Sequence, residues 1–143
     1  MAPDPAGPHD RFQREFTIGH AVICGGSIGG LFVAAYLRKI GWQVEICERA
    51  GAEMSGRGAG IVTHESLLDM LRELQVDLDG LGVTVRERVV FDRMGDDVMR
   101  VPFTQIVTSW DRIHHLLRAS FPDDCYHLGH VLTGYRQHAD HIV

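Results

Sequence analysis

The residues whose types and spacing could do chemistry lie between Ala21 and Leu31, in the run Ala-Val-Ile-Cys-Gly-Gly-Ser-Ile-Gly-Gly-Leu. An apolar stretch enters a glycine cluster and a helical pattern leaves it. That is the order in which a strand, a tight turn and a helix N-terminus cradle the pyrophosphate of a dinucleotide. Gly25 permits the tight turn, and Gly30 removes a side chain where the helix must pack on the strand. Ser27 stands where the G-x-G-x-x-G pattern has its second glycine. Backbone must approach phosphate there, and serine is a small polar choice whose hydroxyl can donate to a phosphate oxygen. Gly26 and Gly29 add permissiveness, and Ile28 begins the helical apolar pattern. Glu48 follows Gly25 by 23 residues, near the offset of about 20 at which an acid accepts a ribose hydroxyl. A carboxylate there repels a ribose phosphate, while the adjacent Arg49 pulls the other way.

Other constellations carry less. The nine histidines include His114-His115, His127-x-x-His130 and His138-x-x-His141. Read as strand residues, the last two pairs have odd spacing and turn their rings to opposite faces, so no metal site is expected. Ser66 and Ser109 have no evident His–Asp arrangement, which leaves a hydrolase unsupported. Asp96-Asp97 and Asp123-Asp124 sit beside turn residues and face water. Trp42 and Trp110 read as packing aromatics.

Elements that position the first motif follow from periodicity. His20–Cys24 reads as a strand, Ser27–Ile40 as a helix with Gly41 at its C-terminal end, and Gln43–Cys47 as a second strand. Strand, helix, strand in this order implies a right-handed crossover and a parallel pair. Ala50–Gly60 holds four glycines and reads as a loop that can approach a ligand closely. Glu65–Leu74 returns to helical period, with Leu67, Met70 or Leu71, and Leu74 inward. Val83–Asp92 and Val98–Val101 read as strands paired around Met94-Gly95-Asp96-Asp97. Ser109 is placed to cap a helix over Trp110–Ser120, stopped at Phe121-Pro122. Tyr126–Leu132 and His138–Val143 read as further short strands. Residues 1–17, with Pro3, Pro5, Gly7 and Pro8, read as a flexible leader, and 18–143 as one domain without repeats.

Composition bounds the setting. The chain has 143 residues, 45% hydrophobic and 23% charged, with a formal net charge of −5. These values suit one compact globular domain and give no pull toward nucleic acid or an anionic membrane. No apolar run approaches bilayer-spanning length, and the N-terminus lacks a secretory apolar core. Cys24, Cys47 and Cys125 are odd in number and read as small core residues in a reducing, cytoplasmic compartment.

Taken in order, Ile23-Cys24-Gly25-Gly26-Ser27-Ile28-Gly29-Gly30-Leu31, Glu48-Arg49 and Arg57-Gly58-Ala59-Gly60-Ile61-Val62 resemble the opening of flavin-dependent aromatic hydroxylases, the single-component FAD monooxygenases. With Thr108-Ser109-Trp110-Asp111 added, the set is similar to the branch that hydroxylates dihydroxypyridines. The likeness covers roughly residues 18 to 143, and within it Ser27 is a branch feature. The resemblance implies an α/β, Rossmann-like FAD/NAD(P)-binding domain with a parallel sheet and an added β-hairpin. Gly25, Gly26, Ser27, Ile28, Gly30, Glu48 and Arg49 would lie along the ADP part of FAD. Arg57, Gly60 and Ile61 would lie nearer the ribityl chain or flavin, where glycines admit close contact and a guanidinium suits a phosphate or flavin oxygen. Many relatives carry a cofactor-contacting arginine at the start of the last helix. Register puts Trp110 there with Arg112 close by, so neither is assigned that role.

The implied activity is reduction of FAD by NADH or NADPH, capture of O2 and hydroxylation of a small electron-rich aromatic or heteroaromatic substrate. A homodimer is compatible with it. The flavin performs that chemistry, and no catalytic side chain can be named in this chain on physical grounds. Members of the family continue with a second flavin-contacting segment and a sheet-based substrate domain, neither of which can be placed within 143 residues. The expectation is therefore an N-terminal portion, truncated before the substrate domain and inactive alone. Two other readings stay open: another NAD(P)-dependent oxidoreductase, which shares the glycine turn and Glu48 but leaves Arg57–Val62 unexplained, and a non-catalytic dinucleotide-binding fragment.

Overall fold

In the computed structural model, residues 19–54, 56 and 58–143 are described. The leader expected over residues 1–17 lies outside them. Strand β1 (His20–Cys24) leads through the glycine turn into helix α1 (Ile28–Lys39), and strand β2 (Gln43–Glu48) returns beside β1. The two strands are parallel, in register from His20 opposite Gln43 to Cys24 opposite Cys47. Helix α1 stops because Gly41 takes φ +91°, which lets the Trp42 N–H reach back to the Leu37 carbonyl at 3.0 Å. A third parallel strand, β6 (Tyr126–Leu128), lies on the other side of β2, so the order is β1–β2–β6.

A second, antiparallel sheet has the order β3–β5–β4, from Gly60–Val62, Asp97–Ser109 and Val83–Phe91. Helix α2 (Glu65–Glu73) follows β3, and helix α3 (Trp110–Arg118) leaves the end of β5. One core joins these layers: Leu31 and Ala34 of α1, Val44 and Ile46 of β2, Leu68 and Leu71 of α2, and Ile113 and Leu117 of α3 all belong to it. Helix α2 therefore turns Leu68 and Leu71 inward, flanked by half-buried Leu67, Met70 and Leu74.

Four expectations shift. The second hairpin strand runs on past Val101 through Pro102 to Ser109, because Pro102 sits at the register shift between Val85 and Glu87. A bulge is where a strand tolerates a residue without an N–H. The strand expected over Tyr126–Leu132 ends at Leu128, where Gly129 takes φ +71°. His138–Val143 is a tight turn with one bridge between Gln137 and Ile142. The cysteines are free thiols, but Cys24 is exposed, and Cys47 and Cys125 are half-buried. No helix among the described residues is long and apolar enough to cross a membrane.

Candidate functional site at the glycine turn

The carboxyl ends of β1 and β2 set the site. The Gly25 N–H donates to the Cys47 carbonyl at 2.8 Å, carrying the parallel ladder one step into the turn. Gly25 then takes φ +117°, and a side chain at Gly30 would place its Cβ 1.9 Å from the Gly25 carbonyl oxygen. Helix α1 can begin this close to the strand because Gly30 lacks a side chain and Gly25 adopts a φ that other residues rarely take.

Ser27 is the N-cap of α1, in extended conformation, exposed, and its hydroxyl makes no cap bond. The first turn of α1 carries no acid. The other two α-helices among the described residues are closed differently. His64 accepts the Leu67 N–H at the start of α2, and Ser109 accepts the Arg112 N–H at the start of α3, with Glu65 and Asp111 in the first turns. The positive end of α1 is thus the one not neutralised by its own side chains.

Glu48 closes β2 and is 6% exposed. Its carboxylate accepts the Gly26 N–H at 2.9 Å and the Ala50 N–H at 2.9 Å. The carbonyl of Gly26 is held from the opposite side: the Tyr126 hydroxyl donates to it at 3.1 Å, and His114 Nε2 lies 2.9 Å away. His114 is 3% exposed and stacks on Trp110, with ring centroids 4.7 Å apart. Arg118 lies over the Tyr126 ring at 4.3 Å and pairs with Asp123 at 2.7 Å. Burial, reinforced by the charges of Glu48 and Glu53 and opposed by Arg118, pushes the Tyr126 phenol up to about 12.

Cys24, Gly25, Cys47, Glu48 and Arg49 line one side of a cleft of about 360 Å³, with His130, Val131 and Leu132 opposite. Burial, then the neighbouring Cys24 and Glu45, raise the Cys47 thiol above its ordinary value. Five of the residues expected at the site, Gly25, Gly26, Ser27, Glu48 and Arg49, therefore meet at one end of the parallel sheet. Ile28 is half-buried and packs against the core. Gly60 and Ile61 belong to β3 in the other sheet, opposite Ser109 and Thr108. Helix α3 links the two groups: Trp110 donates its N–H to the Ala59 carbonyl at 3.1 Å, and one turn later His114 reaches Gly26. Asp111 also accepts the Gly56 N–H at 3.1 Å. Arg57 lies outside the described residues.

Sequence reasoning missed His114, Tyr126 and Asp111. The one local signal was Trp110 four residues before His114, which places the two rings on one helix face. The paired histidines also behave otherwise than expected. His127 and His130 rings lie 5.5 Å apart, and His138 stacks on His141 at 4.5 Å, because turns rather than strands separate them. Among the described residues no group of three or more His, Cys, Asp or Glu is placed to hold a metal ion.

No protein-family profile matches the chain. It is 34% identical over 127 residues to 2,6-dihydroxypyridine 3-monooxygenase of Paenarthrobacter nicotinovorans, a match covering 88% of this chain and 32% of that protein. It is 28% identical over 130 residues to aurachin C monooxygenase/isomerase of Stigmatella aurantiaca, covering 83% of this chain and 34% of that one. The solved structure of 2,6-dihydroxypyridine-3-hydroxylase from Arthrobacter nicotinovorans superposes with a TM-score of 0.79 at 34% identity, over 88% of this chain and 32% of the other. The chain spans about a third of the length of the relatives it matches. By sequence and by fold, the chain is a homologue of the FAD-dependent aromatic-ring monooxygenases, and it has the α/β architecture of their FAD-binding domain.

Proposed function

We propose that this chain is the FAD-binding portion of an FAD- and NAD(P)H-dependent monooxygenase that hydroxylates a small, electron-rich aromatic or heteroaromatic ring with O2, a dihydroxypyridine being the favoured substrate. The observation that carries the reading is the N-terminus of α1. It is uncapped by its own serine and free of first-turn acid, and it stands behind a turn whose glycines admit close approach. Those features fit a diphosphate, and the homology supplies which diphosphate ligand to expect.

In this reading Gly25, Gly26, Ser27, Ile28 and Gly30 shape the pyrophosphate subsite, with the Ser27 hydroxyl donating to a phosphate oxygen. Glu48 and Arg49 border the adenosine side of the cleft. Glu48 stands near the offset from the glycine turn at which an acid accepts a ribose hydroxyl, and its bonds to the Gly26 and Ala50 N–H groups fix its carboxylate beside the turn. Arg57, Gly60 and Ile61 are assigned to the flavin side, supported by the link through α3 between β3 and the turn. The bound flavin supplies the redox and oxygen chemistry, and this chain's residues bind and orient its nucleotide half. A cytoplasmic setting and a homodimer belong to the same proposal, the former supported by the three free thiols.

The test is the flavin content of the purified full chain, by visible absorbance after denaturation, together with FAD titration of flavin-free protein. Stoichiometric FAD supports the reading. Clear NAD binding without flavin affinity overturns it in favour of another dinucleotide enzyme, and no binding of either overturns it in favour of a non-catalytic role.

A further inference from the structure

The peptide group between Gly26 and Ser27 has its oxygen fixed from two directions that are far apart in sequence. Tyr126, 100 residues on, donates its hydroxyl to the Gly26 carbonyl at 3.1 Å. His114, 88 residues on, reaches the same oxygen at 2.9 Å. A carbonyl only accepts, so in this contact the imidazole carries its proton on Nε2. Both side chains are buried, and each is braced: His114 by the Trp110 ring, Tyr126 by the Arg118 guanidinium over its face. The neighbouring peptide is fixed as well, since the Gly26 N–H is accepted by Glu48.

A trans peptide is planar, and its N–H points away from its C=O. The described residues contain no cis peptide bond. Holding the Gly26 oxygen against α3 and β6 therefore turns the Ser27 N–H the opposite way, out of the interior at the open end of α1. We propose that His114 and Tyr126 are positioning residues for the pyrophosphate subsite: by clamping the Gly26 carbonyl they aim the Ser27 N–H at a phosphate oxygen of the bound dinucleotide. Neither side chain touches the ligand. Each acts through one rigid peptide, so each controls a direction that no loop residue at the site could control itself. The clamp also commits α3 to the turn, which ties the orientation of the phosphate donors to the helix that holds β3.

This inference rests on the FAD-binding reading above, and its test separates the two. FAD and ADP affinities are measured on the full chain and on His114→Leu, His114→Gln and Tyr126→Phe, with the Ser27 amide followed by NMR during ADP addition. Tyr126→Phe removes one oxygen atom, and His114→Gln keeps an N–H at similar reach, so folding of both is checked by their melting temperature. The expected result is a loss of about five- to tenfold in FAD and ADP affinity for His114→Leu and Tyr126→Phe, the size of one neutral hydrogen bond. The ADP-induced downfield shift of the Ser27 amide shrinks in both, and His114→Gln recovers affinity and shift together. Full FAD affinity in the variants, or an unchanged Ser27 shift, overturns the clamp and leaves the FAD reading standing. Failure of the unmutated chain to bind FAD or ADP overturns both.

Discussion

The Glu48 carboxylate accepts the Gly26 N–H at 2.9 Å, joining the end of β2 to the turn after β1 between residues 22 apart in the chain. Its other oxygen accepts the Ala50 N–H, so one buried side chain closes two loops. In Glu48→Gln the amide nitrogen faces one of these donors, and a buried N–H is left unpaired. Bonds to a charged acceptor contribute about 1.5–3 kcal/mol each, and the variant should lose stability on that order. Urea denaturation at neutral pH measures it, and an unchanged midpoint would show that neither bond matters.

Gly30→Ala tests the close approach of helix and strand. The new Cβ would meet the Gly25 carbonyl oxygen at 1.9 Å, a backbone atom that cannot swing aside. Overpacking of this kind costs about 1–3 kcal/mol. Gly29→Ala, where a Cβ meets nothing within 4 Å, serves as the control and should melt close to the unmutated chain.

Alkaline pH tests the environment of Tyr126. Its phenol is raised from 10.0 to about 12 in the folded chain, chiefly by burial. Above pH 10 the unfolded chain gives up this proton while the folded chain keeps it. Stability contributed by the neutral phenol is thus complete below pH 10 and lost progressively up to about pH 12. The melting temperature of the unmutated chain should fall more steeply across that window than that of Tyr126→Phe. Parallel curves would place Tyr126 in water.

Strand β1 tests the sheet edge. It pairs only with β2 among the described residues, and Val22 at its centre is 56% exposed. An open, apolar edge strand invites pairing with a second chain, and a charge there discourages it. Val22→Lys should raise the monodisperse fraction in light scattering without lowering the melting temperature. Equal aggregation of both proteins would move the sticky surface elsewhere.

The strand–turn–helix–strand unit was legible because its determinants are local: Gly25 and Gly30 for the turn, Gly41 for the helix end, alternating apolar residues for β2. The Ser109 cap of α3 was legible for the same reason. Strand β5 runs past the Val101 end expected for it, and only its partner strand shows the bulge that accommodates Pro102. Chain reversals at Gly129 and between His138 and His141 bring together histidine rings that a strand would separate. Glu48 was found by its offset, yet its backbone partners were not foreseen. His114 has only Trp110 one turn earlier to mark it and Tyr126 has no local mark, since what defines both is a carbonyl some hundred residues away.

The hairpin of β4 and β5 has consequences for how the molecule breathes. Over its outer part both strands are exposed apart from half-buried Val89, with Val90, Phe91, Met99 and Phe103 open to solvent and Arg88 lying across Phe103. Nothing there belongs to the shared core. Such a ribbon is held by its own ladder, and ladders without a packed face open at little free-energy cost. Amide protons of its outer half should exchange with deuterium long before those of β2 and α1. The molecule then has two clocks: a slow one kept by the parallel sheet, and a fast one at the hairpin tip, which can unzip and re-form while the glycine turn stays intact.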